Sequence, residues 1–344
     1  LVLAVDNTET IFASLLSATG MSLLGLRAIM FSVVIIATAL FIRVERRAEQ
    51  PILPLQLFKS KNFVLIMAIA LFFGAAFLGS ILYLTQFNQQ VFAATPTESG
   101  LMLIPMVAGL MVASIGSGQI IARIGRYKWF MVVGAMLATV TIFLLTTLTP
   151  DSHYAQEAII MTLLGMGLGL VMPVMNLAVQ NEFSQKELGV ATSSTQLFRG
   201  LGSTIGTAVF GALLTAGMTT QLAGVEQNAY IKTLEQSPAA QAMGDLSDPN
   251  TQLNLNQPDT RKKITEATTA SLAKLPEPAR SQQLETFKTE QAKYSEQVVS
   301  AFSDSLRTLF VTAGGLMLVA TILTFFVRER ELARSDPSKT PGEA

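Results

Sequence analysis

Two stretches of this 344-residue chain carry polar side chains at helical spacing within apolar surroundings. Gly79, Tyr83, Gln86 and Gln90 recur along one run, and Gly169, Met172, Asn176 and Gln180 along another. Each set lies along one face of its helix. Neutral amides, a tyrosine ring and a thioether can hydrogen-bond, stack on and adapt to a bound molecule, but they make no covalent bonds. Groups that do covalent chemistry are scarce. There is no cysteine and His153 is the single histidine, so thiolate chemistry and His-pair metal sites are excluded. No catalytic residue, metal or cofactor is expected. Gly165-Met166-Gly167-Leu168-Gly169 has the look of a phosphate-binding loop, but it is embedded in an apolar run with no strand before it. Gly165 and Gly169, like Gly202 and Gly206, are expected to admit close helix packing in lipid.

The elements that position these residues follow from composition. Half of the chain is hydrophobic and 14% is charged, against about 25% charged in an average soluble domain. Mean hydropathy is +0.45. Basic and acidic residues number 24 each, so no net field attracts nucleic acid. The hydrocarbon core of a bilayer needs roughly 20 apolar residues in a helix. Charge-free runs of that order lie between Lys61 and Glu98, Glu98 and Arg123, Lys128 and Asp151, Glu157 and Glu182, Arg199 and Glu226, and Arg307 and Arg328. A further run at 21–42 holds only Arg27 near its start. Seven spans are therefore expected in an all-α integral membrane protein, at about 21–42, 62–88, 100–122, 129–148, 157–180, 190–217 and 304–328. Residues 1–20 read as the end of a helix and an outer loop.

Lysine and arginine set the orientation. Arg43, Arg46, Arg47, Lys59 and Lys61 follow the first span, Arg123, Arg126 and Lys128 the third, Lys186 the fifth, and Arg328, Arg330 and Arg334 the seventh. The loops VFAATPTESG and TPDSHYAQE contain neither residue. Alternate ends are thus expected in the cytoplasm, with 329–344 a cytoplasmic tail. Residues 218–303, rich in Gln, Thr, Ala, Glu and Lys, form an outer segment. Short helices are expected there around 220–236 and 260–275, the second capped by Asp259. Leu284, Phe287, Tyr294, Val298 and Phe302 predict an amphipathic helix feeding the last span.

RVERRAEQPILPLQLFKSKNF, YLTQFNQQVFAATPTESGLMLIPMVAGL, GMGLGLVMPVMNLAVQNEF and LGVATSSTQLFRGLGSTIGTAVFGALL resemble the fourteen-helix drug:proton antiporters of the major facilitator superfamily, of the QacA and EmrB type. The resemblance extends to about Arg330 and corresponds to that family's eighth to fourteenth helices. It implies the C-terminal bundle of a bacterial inner-membrane exporter of cationic or amphipathic drugs, whose partners are lipid, drugs, protons and an N-terminal half upstream. It also implies that the helices bearing Tyr83 and Gln86, and Met172, Asn176 and Gln180, line the central cavity. Gly118 to Lys128, GQIIARIGRYK, is similar to the superfamily's cytoplasmic loop motif, which assigns a conformational role to Gly118, Arg123, Gly125 and Arg126. Ala122 stands where that motif has an acid.

No Asp, Glu or His falls in the middle of a span, so a proton-carrying group is expected upstream or near Asp6. A membrane sensor or scaffold whose outer segment binds a partner, and an uptake transporter of the same superfamily, are the alternative readings.

Overall fold

The computed structural model describes residues 57–185, 187–235, 245–273 and 276–330, with short helical stretches between Ser32 and Val44. The helix end and loop expected over 1–20, most of the span expected over 21–42, and the tail beyond Arg330 lie outside the described residues. Residues up to Lys59 and from Ser60 onward form separate compact units. The first unit contains the helical residues near 32–44 and a single 3-10 turn at Leu57–Lys59.

The described elements of the second unit are helices: α1 Lys61–Val91, α2 Pro96–Leu101, α3 Ile104–Ile124, α4 Lys128–Leu145, α5 Tyr154–Gln180, α6 Leu188–Gln221, α7 Ala229–Glu235, α8 Pro249–Leu255, α9 Pro258–Leu272 and α10 Ala279–Phe326. Among the described residues, six segments are long and apolar enough to cross a membrane: α1, α2 with α3, α4, α5, α6 and α10.

Local sequence accounts for the boundaries. Ser60 caps α1 by accepting from the Phe63 amide at 3.3 Å. Thr95 and Glu98 form a capping box ahead of Pro96, whose fixed φ suits the first helical position. Gly125 ends α3 in the left-handed region, φ 74°, with its N–H returned to the Ile121 carbonyl. Asp248 caps α8. Asp259, expected as a cap, instead lies inside the first turn of α9, where Gln257 occupies the cap position.

The six long helices pack as two sets of three with matching contacts. α1 lies along α6, and α5 lies along α3; α1 also meets α10, as α5 meets α4; and α4 meets α10. Exchanging α1, α3, α4 with α5, α6, α10 leaves these five contacts unchanged, while α10 also packs on α6 with no counterpart between α4 and α3 among the principal contacts. The first set begins at the end of the bundle opposite to where the second begins, so the repeats are inverted. Glycines permit both principal pairs. A Cβ on Gly165 of α5 would overlap the Met106 carbonyl of α3, and one on Gly202 of α6 would overlap the Leu71 carbonyl of α1. The third helices meet through hydroxyls, Thr139 and Thr321, at 2.8 Å.

Beyond the bundle, α7, α8 and α9 lie against the first half of α10, and α7 and α10 supply a small aromatic cluster. Tyr230 lies 5.0 Å from Tyr294 and 5.4 Å from Phe287 between ring centroids, and accepts from Gln291 Nε2 at 3.2 Å. The last helix is continuous from this cluster into the bundle. Its 48 residues rise about 72 Å, more than twice the hydrocarbon thickness of about 30 Å.

Candidate functional site

The two polar faces anticipated from spacing meet different neighbours. On α1, Gly79 lies under the ring of Phe210 from α6, and Tyr83 is buried with its hydroxyl 3.3 Å from where a Cβ on Gly211 would stand. Tyr83 therefore packs inside the bundle and does not present its ring at an open face. Gln90 is buried too: its Nε2 donates to the Leu253 carbonyl at 3.0 Å and its Oε1 accepts from Asn256 Nδ2 at 2.8 Å, which fastens α1 to α8. Between them Gln86 is half-buried, and its Oε1 is enclosed without a hydrogen-bond partner among the described residues. Such an orphaned acceptor calls for an explanation in a native fold.

On α5 the face begins in the same way and ends differently. A Cβ on Gly169 would overlap the Leu110 carbonyl of α3, whereas Met172 and Asn176 are half-exposed and Gln180 is exposed. The α5 stripe thus starts as a packing seam and opens toward Gln180, whereas the α1 stripe is half-buried only at Gln86 and closes again at Gln90.

One acid inside α5 escaped the sequence reading. Glu157, treated there as the boundary of a span, is the fourth residue of α5 and has 0% exposure. Asn88 of α1, with its amide oriented by hydrogen bonding, places Nδ2 2.8 and 2.6 Å from the two Glu157 oxygens. Arg199, likewise treated as a boundary, is the twelfth residue of α6 and donates to Gln196.

The opposite, basic end of the bundle is tied by a second carboxylate. Glu182, just past α5, accepts from Ser60 Oγ at 2.8 Å and Asn62 Nδ2 at 3.1 Å, and pairs with Arg330 at 3.1 Å. Asn62 also clasps the chain after α10, accepting from the Arg328 amide at 2.9 Å. Glu329 accepts from the Tyr127 and Lys128 amides at 2.8 and 3.2 Å, at the positive N-terminal end of α4. Nearby, Arg123 and Arg126 are exposed and pair with no carboxylate among the described residues. Gly118 is also exposed, with open space where a Cβ would stand; Gly125 alone of the pair supplies the turn.

The sequence profile of the Major Facilitator Superfamily matches residues 1–207. The chain belongs to the Major Facilitator Superfamily. Its paired inverted three-helix repeats are the bundle architecture of that superfamily, and it is a multi-pass membrane protein. Among similar proteins, Multidrug transporter protein MdtP of Bacillus subtilis (strain 168) is 31% identical over 310 residues, covering 88% of this chain and 53% of that one. The Tetracycline resistance determinant of Streptomyces rimosus is 25% identical over 313 residues, covering 89% and 83%. The Tetracenomycin C resistance and export protein of Streptomyces glaucescens is 26% identical over 309 residues, covering 89% and 52%. The chain thus spans about half the length of MdtP.

Proposed function

We propose that this bundle works with a second bundle of the fourteen-helix type as an exporter of amphipathic or cationic drugs, driven by exchange for protons. The basic end would face the cytoplasm, and α1 and α5 would flank the drug path. The observation that carries this reading is the placement of half-buried amides, Gln86 and Asn176, on the first helix of each inverted repeat. An amide turned to lipid leaves its donors and acceptors unsatisfied, so these side chains need water, protein or a bound molecule opposite them. Gln86 Oε1, enclosed and without a partner among the described residues, meets a ligand donor once the half-buried side chain rotates. Neutral amides accept varied polar edges without fixing a charge, and Met172 beside Asn176 adds an adaptable apolar surface. The similarity to proteins named for multidrug transport and antibiotic resistance supports the same substrate class.

The test is a resistance and efflux panel of chemically different cationic biocides in cells carrying the transporter that contains this chain. Gln86→Ala and Asn176→Ala should change the relative resistance among drugs more than they lower all of it together. Equal resistance to every drug in both variants, at equal protein level, would reject the assignment.

A further inference from the structure

Glu157 is a fully enclosed carboxyl in the first turn of a membrane-length helix, held by the Asn88 amide and not by a cation among the described residues. Charged groups in such positions are costly to bury and usually serve a function. Its surroundings are sparse in charge. The facing group from α1 is the neutral amide of Asn88. Tyr154, one turn earlier, is the other titratable side chain of α5. α3 and α4 carry charge only at their basic ends, Arg123 and Lys128; α1 has Lys61 at that same end and Tyr83; and α6 has Arg199. No cation among the described residues lies within ion-pairing distance of Glu157.

We propose that Glu157, partnered by Asn88, is the group that binds and releases the exchanged proton, and that its protonation state governs the polar tie between the far ends of α1 and α5. This rests on the reading of the chain as part of a proton-driven exporter. The chemistry is balanced by a single proton. As a carboxylate, Glu157 accepts from Asn88 Nδ2 with both oxygens. As an acid it has one O–H to donate, and a half-turn of the amide offers Asn88 Oδ1 as the matching acceptor. The same two side chains satisfy one another in both states, differing by one proton and one amide orientation. Access is short: Tyr154, 38% exposed, lies three residues away, about 4.5 Å along the helix. Asn88 is two residues beyond Gln86, so a change at this tie acts on the helix that carries a proposed drug contact.

A comparison is built into the fold. At the basic end the same pairing recurs, with the amide Asn62 at the start of α1 and the acid Glu182 just past α5, and there Arg330 balances the charge. The proton role belongs to the end without the arginine.

The experiment reconstitutes the transporter that contains this chain into liposomes and follows ethidium-driven proton movement, the pH profile of ethidium transport, and equilibrium ethidium binding. Glu157→Gln should abolish drug-driven proton movement and flatten the pH profile, while ethidium still binds. Asn88→Ala should displace the profile along the pH axis without flattening it. Glu182→Gln should keep the pH dependence. Should Glu157→Gln fail to fold, Asn88→Ala and Glu157→Asp carry the test through displacement of the profile. An unaltered profile and proton movement in these variants overturns the assignment of Glu157 alone. Absence of proton movement in the unmodified protein overturns the exporter reading itself, and this role with it.

Discussion

Asn62 Nδ2 donates to Glu182 Oε2 at 3.1 Å, joining the second residue of α1 to the turn that follows α5. Both side chains are nearly enclosed, with Asn62 at 8% and the Glu182 side chain at 6% exposure. A hydrogen bond to a charged group in such a place contributes more than a neutral one in water. Glu182→Ala removes the acceptor shared by Ser60, Asn62 and Arg330, and is expected to cost about 1–3 kcal/mol. Thermal denaturation in lipid nanodiscs should show a lower midpoint; Glu182→Gln, which keeps one acceptor, should fall between.

The close approaches of the two principal helix pairs give a prediction with an internal control. Gly165→Ala puts a methyl group into the Met106 carbonyl and must push α5 from α3, at roughly 1–3 kcal/mol. Gly116→Ala, on α3 but with open space at that position, should leave stability unchanged. Denaturation midpoints and monodispersity of the two purified variants decide the matter. Equal behaviour would mean the helices do not approach as described.

At the loop between α3 and α4, Arg123 is exposed and pairs with no carboxylate among the described residues. Arg123→Ala should slow transport several-fold while leaving membrane insertion and protein level intact. Unchanged transport would reduce the residue to a signal of topology.

The segment outside the bundle should show alkaline sensitivity. Burial raises the Tyr230 phenol above its ordinary value, opposed by the Gln291 hydrogen bond and the charge of Arg261. The unfolded segment therefore loses this proton at a lower pH than the folded one. Its stabilising effect is complete below the unfolded pKa of about 10 and declines as pH rises above that value. Hydrogen exchange across α7 and the start of α10 should accelerate above that point, and Tyr230→Phe should delay the onset. No difference between the two would place Tyr230 outside the titration.

Much of this architecture was readable in the residues because lipid-crossing helices demand long uncharged runs. The 3.6-residue spacing of Phe287, Tyr294, Val298 and Phe302 likewise announced an amphipathic start to α10. The fate of individual polar residues was not readable. Spacing says that Tyr83, Gln86 and Gln90 share a face, but not that the first meets α6 and the last meets α8. Glu157 was hidden by the use of charges to delimit spans, which turns every acid near a helix end into a boundary by construction. The tie of Asn62 to Glu182 spans 120 residues, and no local pattern connects them. The inverted pairing became visible only from which helices touch.

In the proposed exporter, α1 and α5 present Gln86 and Asn176 to a shared, water-accessible drug path. Because the chain has no native cysteine, single cysteines at 86 and 176 can be labelled without interference from this chain. In inside-out and right-side-out vesicles, a membrane-impermeant thiol reagent should modify both positions, and a saturating transported drug should slow both reactions. If neither cysteine reacts from either side, with drug or without, the two amides are helix-packing residues and the account of the transport path is wrong.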